Sequence, residues 1–149
     1  MGSLTNIHNL QKQAIRIVSK AGYLAHHIPL CYNLNILDLP DIYNVRALSF
    51  FYDYFHGTLP PSLLSMFSLQ YTKDVNLLIK TSYRRTDIAA ASLTHTLPNI
   101  WNPLPDKIKL AINKSKTKFL TAIKKHYVTS YEDWVCVSID CYSCNQSSQ

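Results

Sequence analysis

The stretch DLPDIYNVRALSFFYDYFHG, residues 38–57, decides the fold class. Asp38 is a favoured N-cap residue, and Pro40 falls in the first turn, where a missing N–H costs nothing. Ile42, Val45, Leu48, Tyr52 and Phe55 follow at helical spacing, and Gly57 supplies the left-handed residue that ends a helix. Phe50, Phe51 and Tyr54 make the segment apolar around most of its circumference, as in a helix surrounded by others. Such rings could instead form a base-stacking platform. Their continuity with the aliphatic face favours core packing.

Upstream, residues 4–20 read as an amphipathic helix closed by Gly22. Leu4, Ile7, Leu10, Ala14 and Val18 would form its buried stripe. Lys12, Arg16 and Lys20, four apart, would line another face as a cationic ridge. Residues 25–39 read as a connector that packs down through Ile28, Leu30, Leu34, Ile36 and Leu37. The tandem His26–His27 in it reads as surface polar residues, with metal or catalytic use as the alternative.

Downstream, Pro60 and Pro61 break the chain, and residues 62–67 fit a short helical turn. Residues 68–86 are the least regular, and residues 75–79 suit either a short strand or a buried turn. Arg84 and Arg85 follow as a basic pair. A helix over 87–97 should end at Pro98, and Trp101 beside Pro103 and Pro105 reads as a rigid aromatic anchor. Residues 106–127 are helical again, with a break near 113–115 and with Ile108, Ile112, Phe119, Ile123 and Tyr127 inward. The expected fold is mostly α: a single compact, bundle-like domain of four to five helices over residues 1–130. A polar, Cys-containing, flexible tail would occupy residues 131–149.

Charge is the functional signal. Fifteen Lys and Arg against nine Asp and Glu give a net +6 and a pI near 9.2, which favours a polyanionic partner. Lys107, Lys109, Lys114, Lys116, Lys118, Lys124 and Lys125 lie within nineteen residues that contain no acid. A merely solvated face mixes signs so that neighbours four apart relieve repulsion. Phosphate is the natural neutraliser of one that does not.

Other classes find little support. No Gly-rich phosphate loop, nucleophile elbow or His-Glu-x-x-His motif exists, and the acids are scattered, so no catalytic residue and no small-molecule substrate is expected. Cys136, Cys141 and Cys144 have partly zinc-like spacing, but a fourth ligand is missing nearby. Reduced thiols without a cofactor are therefore expected, with zinc as the alternative. No signal peptide or membrane-spanning run is present, so an intracellular protein, nuclear or cytoplasmic, is expected.

Several landmarks taken in order carry a resemblance. Residues 10–18, LQKQAIRIV, resemble an LQKRAIRII helix; Ala21-Gly22-Tyr23, Pro29-Leu30 and the run NILDL at 35–39 follow. Then come GTLPP at 57–61, IWNPLP at 100–105 against IWNxLP, a Lys-rich helix around Phe119, and the Cys-x4-Cys-x2-Cys tail. Together they resemble the region downstream of the polymerase palm in non-LTR retrotransposon reverse transcriptases, over roughly residues 4–144. An N-x-R landmark expected within 68–80 is missing. The resemblance implies a non-catalytic piece, since the polymerase's paired aspartates are not matched here. It implies a role in holding template RNA or target DNA beside the polymerase domain, with Lys12 and Arg16 on the family's basic helix positions. The start at Met1, close before the first helix, suggests a truncated or domesticated copy, or a fragment. A protein-packing remnant of the same region is the alternative.

Overall fold

A computed structural model describes residues 2–71, 77–81, 86 and 91–136. They form α1 (Gly2–Val18), α2 (His27–Leu34), α3 (Leu39–Phe55), β1 (Leu69–Tyr71), β2 (Leu77–Ile79), α4 (Leu93–Trp101), α5 (Asp106–Leu110) and α6 (Lys116–Ser130). Single 3-10 turns cover Pro61–Leu63 and Ala111–Asn113. The mostly helical class expected from the sequence is borne out. The described residues fall into two compact units, one from 2–42 with 124–136, the other from within 43–123.

The first three helices end alike. Gly57, as expected, takes φ +67° after α3, where its N–H reaches Tyr54 O and Thr58 N–H reaches Asp53 O. Asn35, at φ +54°, closes α2 in the same way. After α1 the left-handed residue is Lys20 at φ +52°, two positions before Gly22. Lys20 N–H donates to Ile17 O and Ala21 N–H to Arg16 O, which satisfies the last carbonyls in a Schellman pattern. A side chain there is strained, so Lys20→Gly is expected to raise stability by roughly 0.5–1 kcal/mol, a melting shift of about 2–4 °C, in a thermal scan.

The connector expected at 25–39 is in part a helix, α2. Pro29 is its third residue, where the missing N–H has no intrahelical partner to lose. This helix sinks Cys31 beneath Ile15 and Tyr131, with Ile28, Leu30, Leu34 and Val128 packed around them. Tyr131, placed by the sequence in a flexible tail, is therefore part of a core. Burial pushes the Cys31 thiol up to about 11. Its neutral form is thus favoured on folding, a contribution fully present below about pH 9 and lost as pH rises through 11. Roughly 2–3 kcal/mol of stability should disappear across that window. In native protein at pH 8, peptide mass spectrometry after iodoacetamide should find Cys136 alkylated and Cys31 untouched.

In the second unit α3 supplies Leu48, Phe51 and Tyr54 to the core. The Phe51 ring lies 4.7 Å from Trp101, and Tyr54 meets Phe67 edge-on at 4.9 Å. Core packing is thus the observed use of these two α3 aromatics. Phe51 is fully buried, as that reading expects, while Ile42, expected on the apolar face, is 37% exposed.

Pro98 was expected to end a helix; it lies inside α4 instead, buried, and its carbonyl accepts from Asn102 N–H. The lost proline donor is offset by what the extra turn delivers. Trp101 Nε1–H donates to Leu77 O at 2.9 Å, and the Asn102 amide both accepts from Ile79 N–H and donates to Ile79 O, each at 3.0 Å. β2 itself, within the 75–79 segment read as strand or turn, pairs antiparallel with β1, Leu69 opposite Ile79. The expected helix start at 87–90 lies outside the described residues.

The break foreseen near 113–115 separates the Ala111–Asn113 turn from α6. Tyr52 O–H donates to Lys114 O at 2.8 Å, and His56 Nε2–H to Ile112 O at 2.9 Å, so α3 holds the break. No helix among the described residues is long and apolar enough to cross a membrane.

Candidate nucleic-acid interface and a histidine–aspartate cluster

The seven clustered lysines do not behave as one group. Lys109 is buried, its ammonium donating to Asn102 O at 2.7 Å. Lys116 reaches Asp53 Oδ2 at 2.6 Å. Both partners are partly exposed, so that pair is worth no more than about 1 kcal/mol. These two lysines serve the fold.

Lys107, Lys114, Lys118, Lys124 and Lys125 are exposed, and no hydrogen bond or ion pair engages their side chains among the described residues. On α6, at 100° per residue, Phe119 and Ile123 mark the inward direction. Lys118, Lys124 and Lys125 fall on the opposite arc together with Thr117, Thr121 and Thr129, all exposed. Val128 shares this arc but is half-buried against the Cys31 core, and the Thr121 hydroxyl donates to Thr117 O. The exposed remainder is ammonium groups and hydroxyls, of which the ammonium groups are the donors that phosphate oxygens accept from.

The other basic candidates stand differently. Arg16 donates its Nε–H to Ala25 O at 2.8 Å, Lys12 is half-buried, and Lys20 lies beyond the end of α1. Lys12, Arg16 and Lys20 therefore do not form the open ridge that their spacing suggested. Arg84, Arg85, Cys141 and Cys144 lie outside the described residues; Cys136 is half-exposed.

α1 is turned the other way from its expected orientation. Leu4, Ile7, Leu10, Ile17 and Val18 are between 52% and 76% exposed, and Ala14 is exposed beside them. The inward side carries His8, Gln11, Lys12, Ile15 and Arg16 instead. Gln11 donates to Leu37 O and accepts from Leu39 N–H, both at 2.9 Å. Only Ile15 from this helix is buried apolar surface. Polar partners on the 25–39 segment, invisible to hydrophobic periodicity, decide the direction.

That inward face builds a cluster that sequence reasoning missed. His8 Nε2 lies 2.8 Å from Asp38 Oδ1, and His27 Nε2 lies 3.5 Å from Asp38 Oδ2. The two imidazoles meet edge to face, centroids 5.6 Å apart. Asp38 stands just before α3, where it was expected as an N-cap. Its backbone carbonyl does accept from Asp41 and Ile42 N–H, but its carboxylate faces the two histidines. Burial pushes this carboxyl up, yet the His27 and His8 imidazoles outweigh it and hold the group below its ordinary value. The Tyr131 hydroxyl accepts from Asp38 N–H at 3.1 Å and donates to Asp41. Burial first, then the bond to Asp41, pushes that phenol up, so it stays a donor.

His27 is the unbalanced member. Its Nε2 is shielded from solvent, and its approach to Asp38 Oδ2, at 3.5 Å, is at the outer limit of hydrogen bonding and short of a well-formed bond. A buried nitrogen left this way costs about 1–3 kcal/mol. The neighbouring His26 packs at a tilt against Trp134, ring centroids 4.8 Å apart. The signal available beforehand was slight: a tandem histidine pair and a capping aspartate eleven residues on.

Comparison with protein-family models, curated proteins and solved structures finds no match to this chain.

Proposed function

We propose that this chain is a non-catalytic, basic helical module that binds RNA or DNA, related to the region downstream of the palm in non-LTR retrotransposon reverse transcriptases. The observation that supports this reading is the exposed arc of α6. Three lysines and three threonines share it, no acid interrupts, and their charges have no internal counter-ion among the described residues. A surface of that kind repels itself until an anion arrives, and a nucleic-acid backbone offers phosphates at regular spacing. Lys107 and Lys114 add to the positive field. The ordered sequence landmarks give the proposed ancestry, and with it template RNA or target DNA as the partner.

Binding of the purified chain to labelled RNA, single-stranded DNA and duplex DNA across a salt series tests the proposal. Three lysine–phosphate contacts should give a log–log salt slope of roughly −2 to −3. A folded chain that binds none of the three at low salt would overturn it.

One observation favours a second reading, in which the chain is a packing surface for another protein part such as the polymerase domain. The outward stripe of Leu4, Ile7, Leu10, Ala14, Ile17 and Val18 is a contiguous apolar helix face of the sort that marks interaction sites. It should produce concentration-dependent self-association in sedimentation velocity. A monomer at every concentration counts against this second reading and leaves the first intact.

A further inference from the structure

His8, His27 and Asp38 come from three separate elements: the inward face of α1, the first residue of α2 and the residue before α3. Their ligand atoms, two imidazole nitrogens and a carboxylate oxygen, all lie within 4.8 Å of one another. A tetrahedral centre with bonds of about 2.0–2.1 Å places its ligand atoms about 3.4 Å apart. His8 approaches one Asp38 oxygen at 2.8 Å and His27 the other at 3.5 Å, and no pair of the three ligand atoms is more than 4.8 Å apart, so side-chain movements on the order of an ångström bring them to that edge. His27 Nε2, solvent-shielded and without a well-formed hydrogen bond among the described residues, is the atom whose placement hydrogen bonding does not account for. Coordination does account for it.

We propose that His8, His27 and Asp38 form a three-ligand site for a divalent transition metal of the zinc type. Two imidazoles with one carboxylate suit zinc and its neighbours, whereas calcium and magnesium prefer all-oxygen sets. Three protein ligands leave the fourth position to solvent. The ion pins α1, otherwise held by one buried apolar residue and a few polar contacts, to the starts of α2 and α3. This site is distinct from the cysteine tail and does not depend on the nucleic-acid reading.

Cobalt(II) titration of the full, reduced chain tests the proposal, because cobalt reports its ligands by colour. The expected result is one ion per chain with visible d–d bands and no thiolate charge-transfer band. Binding should persist in a Cys136→Ser/Cys141→Ser/Cys144→Ser chain and weaken more than about 100-fold in His27→Gln, beyond the roughly 10–100-fold that loss of an outer partner costs. The metal-free melting curve of His27→Gln, which loses the His27 contacts to Asp38 and His8, is read first to show that the variant folds. In the unsubstituted chain, cobalt should also move the ring-proton resonances of His8 and His27 far outside the diamagnetic range, as contact shifts do for directly bound imidazoles, a readout that requires no variant to fold. No cobalt uptake, a charge-transfer band lost with the three cysteines, unchanged affinity in folded His27→Gln, or unshifted His8 and His27 resonances would each overturn the proposal.

Discussion

Trp101→Ala is expected to lower the unfolding free energy by about 3–5 kcal/mol, measured by urea denaturation. Domains of this size have about 5–15 kcal/mol in total, so the variant sits near the edge of folding. Two losses combine. The indole is fully buried against Phe51, with Phe119 at 6.5 Å, and its removal leaves a cavity that α3 and α6 cannot collapse into without moving their other anchors. The Leu77 carbonyl also loses its donor. Trp101→Phe separates the terms: it retains much of the packing and forfeits the hydrogen bond, so about 1–3 kcal/mol is expected. Equal losses in the two variants would mean that the hydrogen bond, and not the packing, anchors this helix.

Charge reversal on the outer arc of α6 has the second large effect. Lys118→Glu/Lys124→Glu/Lys125→Glu is expected to weaken nucleic-acid binding at least about 100-fold near 0.1 M salt and to flatten the salt slope by roughly 2–3 units. The estimate follows from counterion release, in which each phosphate contact is worth close to a factor of ten at that salt. The triple variant should melt at or above the starting temperature, because these side chains hold nothing internal and the substitutions relieve like-charge crowding. Lys116 is left alone since it pairs with Asp53, and Lys109 since it is buried on Asn102. Undiminished binding by the triple variant would remove α6 from the interface.

The contrast between these two regions shows what a linear reading of the chain can reach. The helix over 38–57 was legible because capping, periodicity and a terminal glycine all agree, and such agreement is hard to override. The break before α6 was legible from Asn113 and Ser115, two residues on either side of Lys114 whose side chains compete for the helix backbone. α1 was misread because periodicity reports which residues share a face but not which face turns inward. Gln11 and Arg16 settle that by reaching backbone groups at Leu37, Leu39 and Ala25, on either side of α2, partners that no sequence spacing announces. Pro98 misled for a related reason: the cost of one missing donor is local, while the gain from seating Trp101 and Asn102 on β2 is tertiary. The lysine run was legible as charge. Which lysines are spent internally was not, because Asp53 lies 63 residues from Lys116 in sequence. The His8–His27–Asp38 cluster gathers residues from three elements, and no spacing rule links them.

The way α4 ends has a consequence for how chains of this protein meet one another. A two-stranded ribbon normally offers its outer backbone to any passing strand, the first step toward fibrous aggregates. On the β2 side that offer is withdrawn: Leu77 O, Ile79 N–H and Ile79 O are already taken by the Trp101 indole and the Asn102 amide. Two side chains thus stand in for a third strand, and an incoming chain finds those backbone groups engaged. Misassembly by sheet growth from β2 therefore requires the end of α4 to let go first, which places Asn102 among the residues that guard solubility. A substitution such as Asn102→Leu would reopen the edge while leaving the hydrophobic core intact.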